Sequence, residues 1–198
     1  MNAGVSINPK KKGVSPSKES SLRAIQNRTP LHLVTTEGQV QIHTCSHRGS
    51  FSIVLSEALR SAGLGSKVLI SQFLRGGVNQ GPHGAINLCG RLEWLRPAIE
   101  TCLPERESDQ NLSLKRKFEE KAIKELWEFC KARLIEKRID KIVLDEIGIA
   151  ISLGFIEEND LIFMINNRPS STDIILTGPS IPPKVIEMAD QITELRCN

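Results

Sequence analysis

A chain of 198 residues with 39% hydrophobic and 25% charged side chains has material for one full-sized core and little more. Its longest apolar run, residues 147–156, includes Gly148, Ser152 and Gly154 and is too short for a membrane-spanning helix. Five scattered cysteines without a C-x-x-C pair, with four dispersed histidines, exclude a disulfide framework and a structural zinc site.

The net charge of +3 is unevenly placed: residues 1–28 carry six basic side chains against Glu19, so the remainder sums to −2. Residues 1–30, rich in Ser, Lys, Gly and Pro, are expected to be a disordered basic tail. A nucleic-acid contact or a targeting segment is the other use of such a tail. Pro9 and Pro16 interrupt the amphipathic helix of a transit peptide, and no signal-peptide pattern opens the chain. Residues 31–198 are expected to form one folded domain, and the reduced cysteines suit the cytoplasm.

A short strand is expected over 40–44. A helix follows over 51–62, with Phe51, Val54, Leu55, Ala58, Leu59 and Ala62 on one stripe. Gly63 and Gly65 end it, and KVLISQF (67–73) reads as a second strand. A glycine-rich loop over 75–87 leads to an extended piece around Leu92, Trp94 and Leu95. A long helix over 112–137 carries Phe118, Ala122, Leu126, Cys130 and Leu134 at four-residue spacing, with Trp127 beside them. Then come a strand at 141–144, a helix at 157–166, a strand at 173–177, a helix at 183–190 and a last strand at 192–195. Strands alternating with helices predict an α/β three-layer sandwich, a mostly parallel sheet with helices on both faces.

Ligands of such sheets bind at the carboxyl ends of the strands. Two segments are expected there. The turn Cys45-Ser46-His47-Arg48-Gly49-Ser50-Phe51-Ser52, between strand and helix, aims backbone N–H groups and a positive helix end at an anion. The strand Ile142-Val143-Leu144 ends in Asp145-Glu146, where the metal-side acid of a P-loop enzyme belongs. Asp145 also suits a cap for the helix after it. His47 marks a possible altered anion site, while His83 and Cys89 are read as incidental.

From Gly38 to Arg196 the succession of the loop, KVLISQFLRGG, a Trp-bearing helix, IVLDEI, NNRP, DIILTG and EMADQITELR resembles the ATP:corrinoid adenosyltransferases. The likeness is thin between Gly77 and Gln110. It implies a P-loop NTPase fold, ATP and Mg2+, and a corrinoid substrate whose Co(I) takes the 5′-deoxyadenosyl group of ATP, a step of cobalamin biosynthesis. It implies nucleotide contacts at Cys45, Ser46, His47, Arg48, Gly49, Ser50, Phe51, Ser52, Asn166 and Arg168. It implies catalytic roles for Arg48, Ser50, Asp145 and Glu146, metal ligation by Asp145, and corrinoid packing by Trp94. It allows a homodimer, with neither membrane nor nucleic acid as partner.

The loop departs from the family's Gly-x-Gly-Lys-Gly-Lys-Thr-Thr: Cys45 and His47 replace glycines, Arg48 the first lysine, Ser50 the phosphate-gripping lysine and Phe51 the metal-ligating threonine. Leu92 stands for the Phe of Phe-x-Trp, and Pro179 for the Arg of Thr-Gly-Arg. Three readings follow. The chain is an enzyme in which Arg48 and Ser50 or Ser52 supply the lost charge and hydroxyl, a catalytically inactive nucleotide- or corrinoid-binding or partner protein, or a conventional ATPase or phosphotransferase.

Overall fold

The computed structural model describes residues 37–49, 51–77, 81–104, 113–136 and 138–195. The tail expected over residues 1–30 lies outside them, as does Ser50. Seven strands form one sheet in the order β3-β4-β2-β5-β6-β1-β7: β1 Val40–Cys45, β2 Val68–Gln72, β3 Ile86–Leu88, β4 Leu92–Leu95, β5 Lys141–Asp145, β6 Asp173–Thr177 and β7 Gln191–Leu195. Every pairing is parallel except β3 on β4, so a single antiparallel edge strand closes one side. That edge strand takes the end of the segment expected to be loop.

Helix α1 (Ser52–Gly63) lies on one face, its Val54, Ala58 and Ala62 packing with Phe51 on Val68, Ile70, Leu92, Val143 and Ile175. The other face carries α2 (Ser113–Ile135), α3 (Ile147–Ser152), α4 (Glu158–Asn166) and α5 (Pro183–Ile186) over Ile42, Leu69, Ile142, Leu144, Ile174 and Leu176. Alternate residues of the same strands supply the two cores, as a sheet covered on both faces requires. This is the P-loop NTPase-like three-layer α/β sandwich. Among the described residues no helix is long and apolar enough to cross a membrane.

Three expectations about the helices change. A residue pair four apart rotates by about 40° around an α-helix, so a strict four-residue stripe drifts off the core over several turns. Phe118 is 59% exposed, whereas Ala122, Ile123, Leu126, Trp127, Cys130 and Leu134 are buried. Helix α3 went unpredicted because Ile147, Gly148, Ile149 and Ala150 are all buried, which leaves no amphipathic period to read. The helix expected over 183–190 ends at Ile186. Burial pushes the Cys130 thiol up to about 12, with the nearby Ser71 opposing it only in part, so it is a packing group rather than a nucleophile.

Candidate functional site

β1, β2, β5 and β6 lie side by side, and the last three deliver polar side chains to one hydrogen-bonded cluster at their carboxyl ends. β2 is apolar until Ser71 and Gln72, both buried. β5 ends in Asp145, 3% exposed, and β6 in Thr177, 1% exposed. Buried polar groups need partners there, and Gln72, Asp145 and Thr177 supply them to one another, while Ser71 Oγ has no hydrogen-bond partner. Gln72 Nε2 donates to Asp145 Oδ2 at 2.7 Å, and Thr177 Oγ1 donates to Asp145 Oδ1 at 2.5 Å. Gln72 Oε1 accepts from Trp94 Nε1 at 3.0 Å and from Arg96 Nε at 2.9 Å. A continuous chain of hydrogen bonds thus runs from the indole through Gln72 and Asp145 to Thr177.

Glu146 follows in the left-handed conformation, φ 61°, which is costly for a side chain with a Cβ and is tolerated where surrounding contacts enforce it. Gly178 makes room for it, and Gly148 for the segment after β6. A Cβ on Gly178, at φ 109°, would lie 3.0 Å from Glu146 Cα, and one on Gly148 would lie 2.5 Å from the Pro179 carbonyl oxygen. Glu146 is the residue before α3 and makes no side-chain cap, and Asp145 is spent on Gln72 and Thr177, so the capping alternative for Asp145 is set aside.

The fixed backbone aims the Glu146 carboxylate, 1% exposed, at the turn after β1. Arg48 Nε donates to Oε1 at 2.7 Å and Nη2 to Oε2 at 2.8 Å, a two-pronged guanidinium–carboxylate pair. The same guanidinium donates to the carbonyl oxygens of Leu74, at 3.3 Å, and Leu103. The hydrogen bond to Glu146, then its charge, raise the Arg48 pKa against the opposing effect of burial. Four of the five N–H donors of Arg48 therefore end on protein acceptors.

Arg75 stands differently. Its Nε lies 3.7 Å from Asp145 Oδ2 and its Nη2 3.8 Å from Glu146 Oε1, close enough for attraction and beyond hydrogen-bond reach. Nε is shielded from solvent and has no hydrogen-bond partner, while the side chain as a whole is 30% exposed.

The turn itself holds the remaining loop residues. Ser46 and His47 are exposed, with Ser46 Oγ 3.0 Å from His47 Nδ1, and the Cys45 thiol donates to the His47 carbonyl oxygen at 2.5 Å. None of the described turn residues has a positive φ, so residues 45–49 do not wind into the alternating conformation of an anion nest. A Cβ on Gly49 would meet nothing within 4 Å, so no close approach explains that glycine. Phe51 is 2% exposed and packed in the α1 core, so it presents no polar group to the site. α1 itself starts at Ser52 without a side-chain cap or an acidic residue in its first turn. Its amino end is left for an anion to complement.

Two assigned residues lie elsewhere. Asn166 is exposed at the end of α4, and Arg168 donates to the carbonyl oxygens of Ile165, at 3.0 Å, and Gly38, at 3.2 Å. Gly38 precedes β1, so this pair sits at the opposite end of the sheet, about 15–20 Å from the turn by strand length. Arg168 fastens the end of α4 to the entry of β1, and the structure does not bring Asn166 and Arg168, expected at the nucleotide, to the turn.

The residues around Asp145 do not fit the Mg2+ ligation expected of it. Mg2+ demands near-octahedral oxygen ligands and keeps several waters. Here both Asp145 oxygens accept hydrogen bonds, both Glu146 oxygens face Arg48, and the Arg75 guanidinium lies within 4 Å of both carboxylates. Among the described residues no three His, Cys, Asp or Glu side chains are grouped to hold a metal.

Gln72, Arg75 and Thr177 were not singled out from the sequence. Their signal was present: each is a polar residue at or just beyond the carboxyl end of an otherwise apolar strand.

A family model described as ATP:corrinoid adenosyltransferase BtuR/CobO/CobP matches residues 36–198. A corrinoid adenosyltransferase of Escherichia coli (strain K12) is 25% identical over 165 residues, covering 80% of this chain and 76% of that protein. One of Pseudomonas aeruginosa is 25% identical over 158 residues, 80% and 74% of the two chains. A third, from Sinorhizobium sp, is 33% identical over 70 residues, 35% of this chain and 33% of its own.

Proposed function

The chain belongs to the ATP:corrinoid adenosyltransferase family, and from that premise we propose that it brings ATP and a reduced corrinoid together at this end of the sheet and joins them. In that reaction Co(I) attacks the 5′ carbon of ATP, the cobalt–carbon bond forms, the C5′–O bond breaks, and triphosphate leaves with its electron pair. The leaving group gains negative charge, so a positive, pre-oriented surface behind it lowers the barrier. The uncapped amino end of α1 and the Arg75 guanidinium are the groups for that task.

The observation that carries the reading is the hydrogen-bonded chain Trp94–Gln72–Asp145. It ties the residue proposed to pack on the corrinoid to the strand end beside the phosphate turn, so both substrates would meet one rigid constellation. Cys45, Cys89, Cys102 and Cys130 are free thiols, which suits the reducing cytoplasm we propose as its location.

A second reading, a binding protein without turnover, draws on one observation of its own: the Arg48 fork is committed to Glu146 and Phe51 is buried. One assay separates the two. The protein is incubated with ATP and cob(I)alamin, and adenosylcobalamin is followed by its absorbance. Product that grows with enzyme concentration and disappears in Trp94→Ala supports the transferase. Quenching of Trp94 fluorescence by cobalamin without product supports the binding protein. Neither signal removes the corrinoid from the reading.

A further inference from the structure

The charges at the strand ends are already balanced against one another. Asp145 and Glu146 bring two carboxylates at 3% and 1% exposure, and Arg48 and Arg75 set two guanidiniums against them, while Arg96 reaches Gln72. A divalent cation entering here would meet carboxylates whose charge two guanidiniums already match. It would also have to dislodge Arg48 from Glu146 and from two backbone carbonyls. Removing one partner of a buried pair leaves an uncompensated charge, which is among the costliest single changes in a protein.

The two nearer arginines are not equivalent. Arg48 has four donors occupied and no fork left to offer. Arg75 has an Nε without a hydrogen-bond partner, holds the carboxylates only at 3.7 and 3.8 Å, and keeps part of its side chain in solvent. A phosphate oxygen within reach would satisfy that Nε and gain a charge-assisted, two-pronged contact.

We propose that this site binds the polyphosphate of its nucleotide without a divalent cation, with Arg48 as the resident cation over Glu146 and Arg75 as the group that meets the phosphate. This rests on the functional reading above and sharpens it. Arg48, the residue that sequence alone nominates to replace the missing lysine, is a fixed brace. The working charge comes from the loop after β2.

Two titrations of the full chain test it. In the first, Mn2+ is added and the free-ion electron paramagnetic resonance signal is followed to about 1 mM, the weak limit of useful cation sites. An undiminished signal is expected. Signal lost to the protein and restored in Asp145→Asn overturns the proposal; loss that persists in Asp145→Asn lies at another place and leaves it standing. In the second, calorimetry compares inorganic triphosphate and ATP in EDTA and in Mg2+. Affinities within about twofold of each other are expected, and tightening by about tenfold or more in Mg2+ overturns the proposal. Arg75→Gln should weaken triphosphate binding in EDTA by about tenfold, with partial recovery in Arg75→Lys. Unchanged binding in Arg75→Gln rejects the role of Arg75. Triphosphate bound without ATP would sink the adenosyltransferase reading and keep this one, while failure of both anions to bind overturns the metal-free anion site itself.

Discussion

Two indole N–H groups in this protein end on polar side chains beside an ion pair, and the two neighbourhoods hold charge in opposite ways. On the helical layer Trp127 Nε1 donates to Asp160 Oδ2 at 2.6 Å, and Lys131 Nζ donates to the same oxygen at 2.7 Å. Lys131 also reaches Glu128 at 2.9 Å and lies 5.6 Å from the Trp127 ring centroid. That cluster is wet, with Asp160 34% exposed. At the strand ends Trp94 reaches Gln72, Gln72 reaches Asp145, and Arg48 grips a Glu146 that is 1% exposed. Water can replace any partner lost from the first cluster. It cannot do so in the second, which must be complete to be tolerated.

The sharpest way to break the comparison is to remove one cation from each. Arg48→Ala strands a buried Glu146 and should cost about 3 kcal/mol, the lower end for a broken buried pair because Arg48 is partly in solvent. Lys131→Ala should cost about 0.5–1 kcal/mol, since Asp160, a third exposed, rehydrates when its partner is lost. Urea unfolding of both variants decides it. Equal losses would mean that Glu146 is hydrated in solution and that the strand-end cluster is open.

Gln72 comes next in size. It alone joins Trp94, Arg96 and Asp145, so Gln72→Leu leaves two donors and one carboxylate oxygen with a partner missing. A loss of about 2–3 kcal/mol is expected, together with an altered Trp94 emission as the indole N–H finds water. Gln72→Glu sharpens the test, because it keeps the acceptor while setting a second carboxylate against Asp145. Stability unchanged in Gln72→Leu would show that the chain of hydrogen bonds is not a unit.

Most of the sheet was legible because its strands are short, apolar and separated by glycine or proline. The site was legible only in part. The turn after β1 and the pair Asp145-Glu146 stand out by type and position, but their state depends on partners that sequence spacing does not report. Arg48 and Glu146 are 98 residues apart, and only the parallel register of β5, β6 and β1 brings them together. Asn166 and Arg168 show the converse. A motif block carried by resemblance names residues without saying which end of a strand they occupy, and this one holds the floor of the fold. α3 was invisible because burial on every side erases the periodicity on which helix recognition rests.

The exposed cluster makes a smaller, pH-dependent prediction. Burial raises the Asp160 pKa, but the hydrogen bonds from Lys131 and Trp127 outweigh it, and the group lies below its ordinary value of 3.8. A depressed carboxylate contributes stability that is present above the unfolded value and is lost as pH falls through the folded one. Melting temperature should therefore drop more steeply below about pH 4 in the parent than in Asp160→Asn. The difference is expected to be slight, because Asp160 is a third exposed. A large difference would place Asp160 among the buried charges and erase the contrast with Glu146.

The smallest effect belongs to His43, which lies between the two clusters in character: half-buried, and without a counter-charge. It sits on β1 beside a cavity of about 390 Å³ lined also by Gln41, Ile53, Ser56, Glu57 and Arg60. Its Nδ1 is shielded and has no hydrogen-bond partner, and Glu57 is occupied by Arg60 at 2.7 and 2.8 Å. Burial lowers the His43 pKa from its ordinary 6.5. The unfolded chain then takes up the proton first, so stability is intact above about pH 6.5 and declines as pH falls toward the depressed folded value. Urea midpoints measured between about pH 5 and pH 7 should slope upward with pH in the parent and lie flatter in His43→Gln. If the midpoint instead rises on acidification, Glu57 has turned from Arg60 to His43 in solution, and burial is not what governs this imidazole.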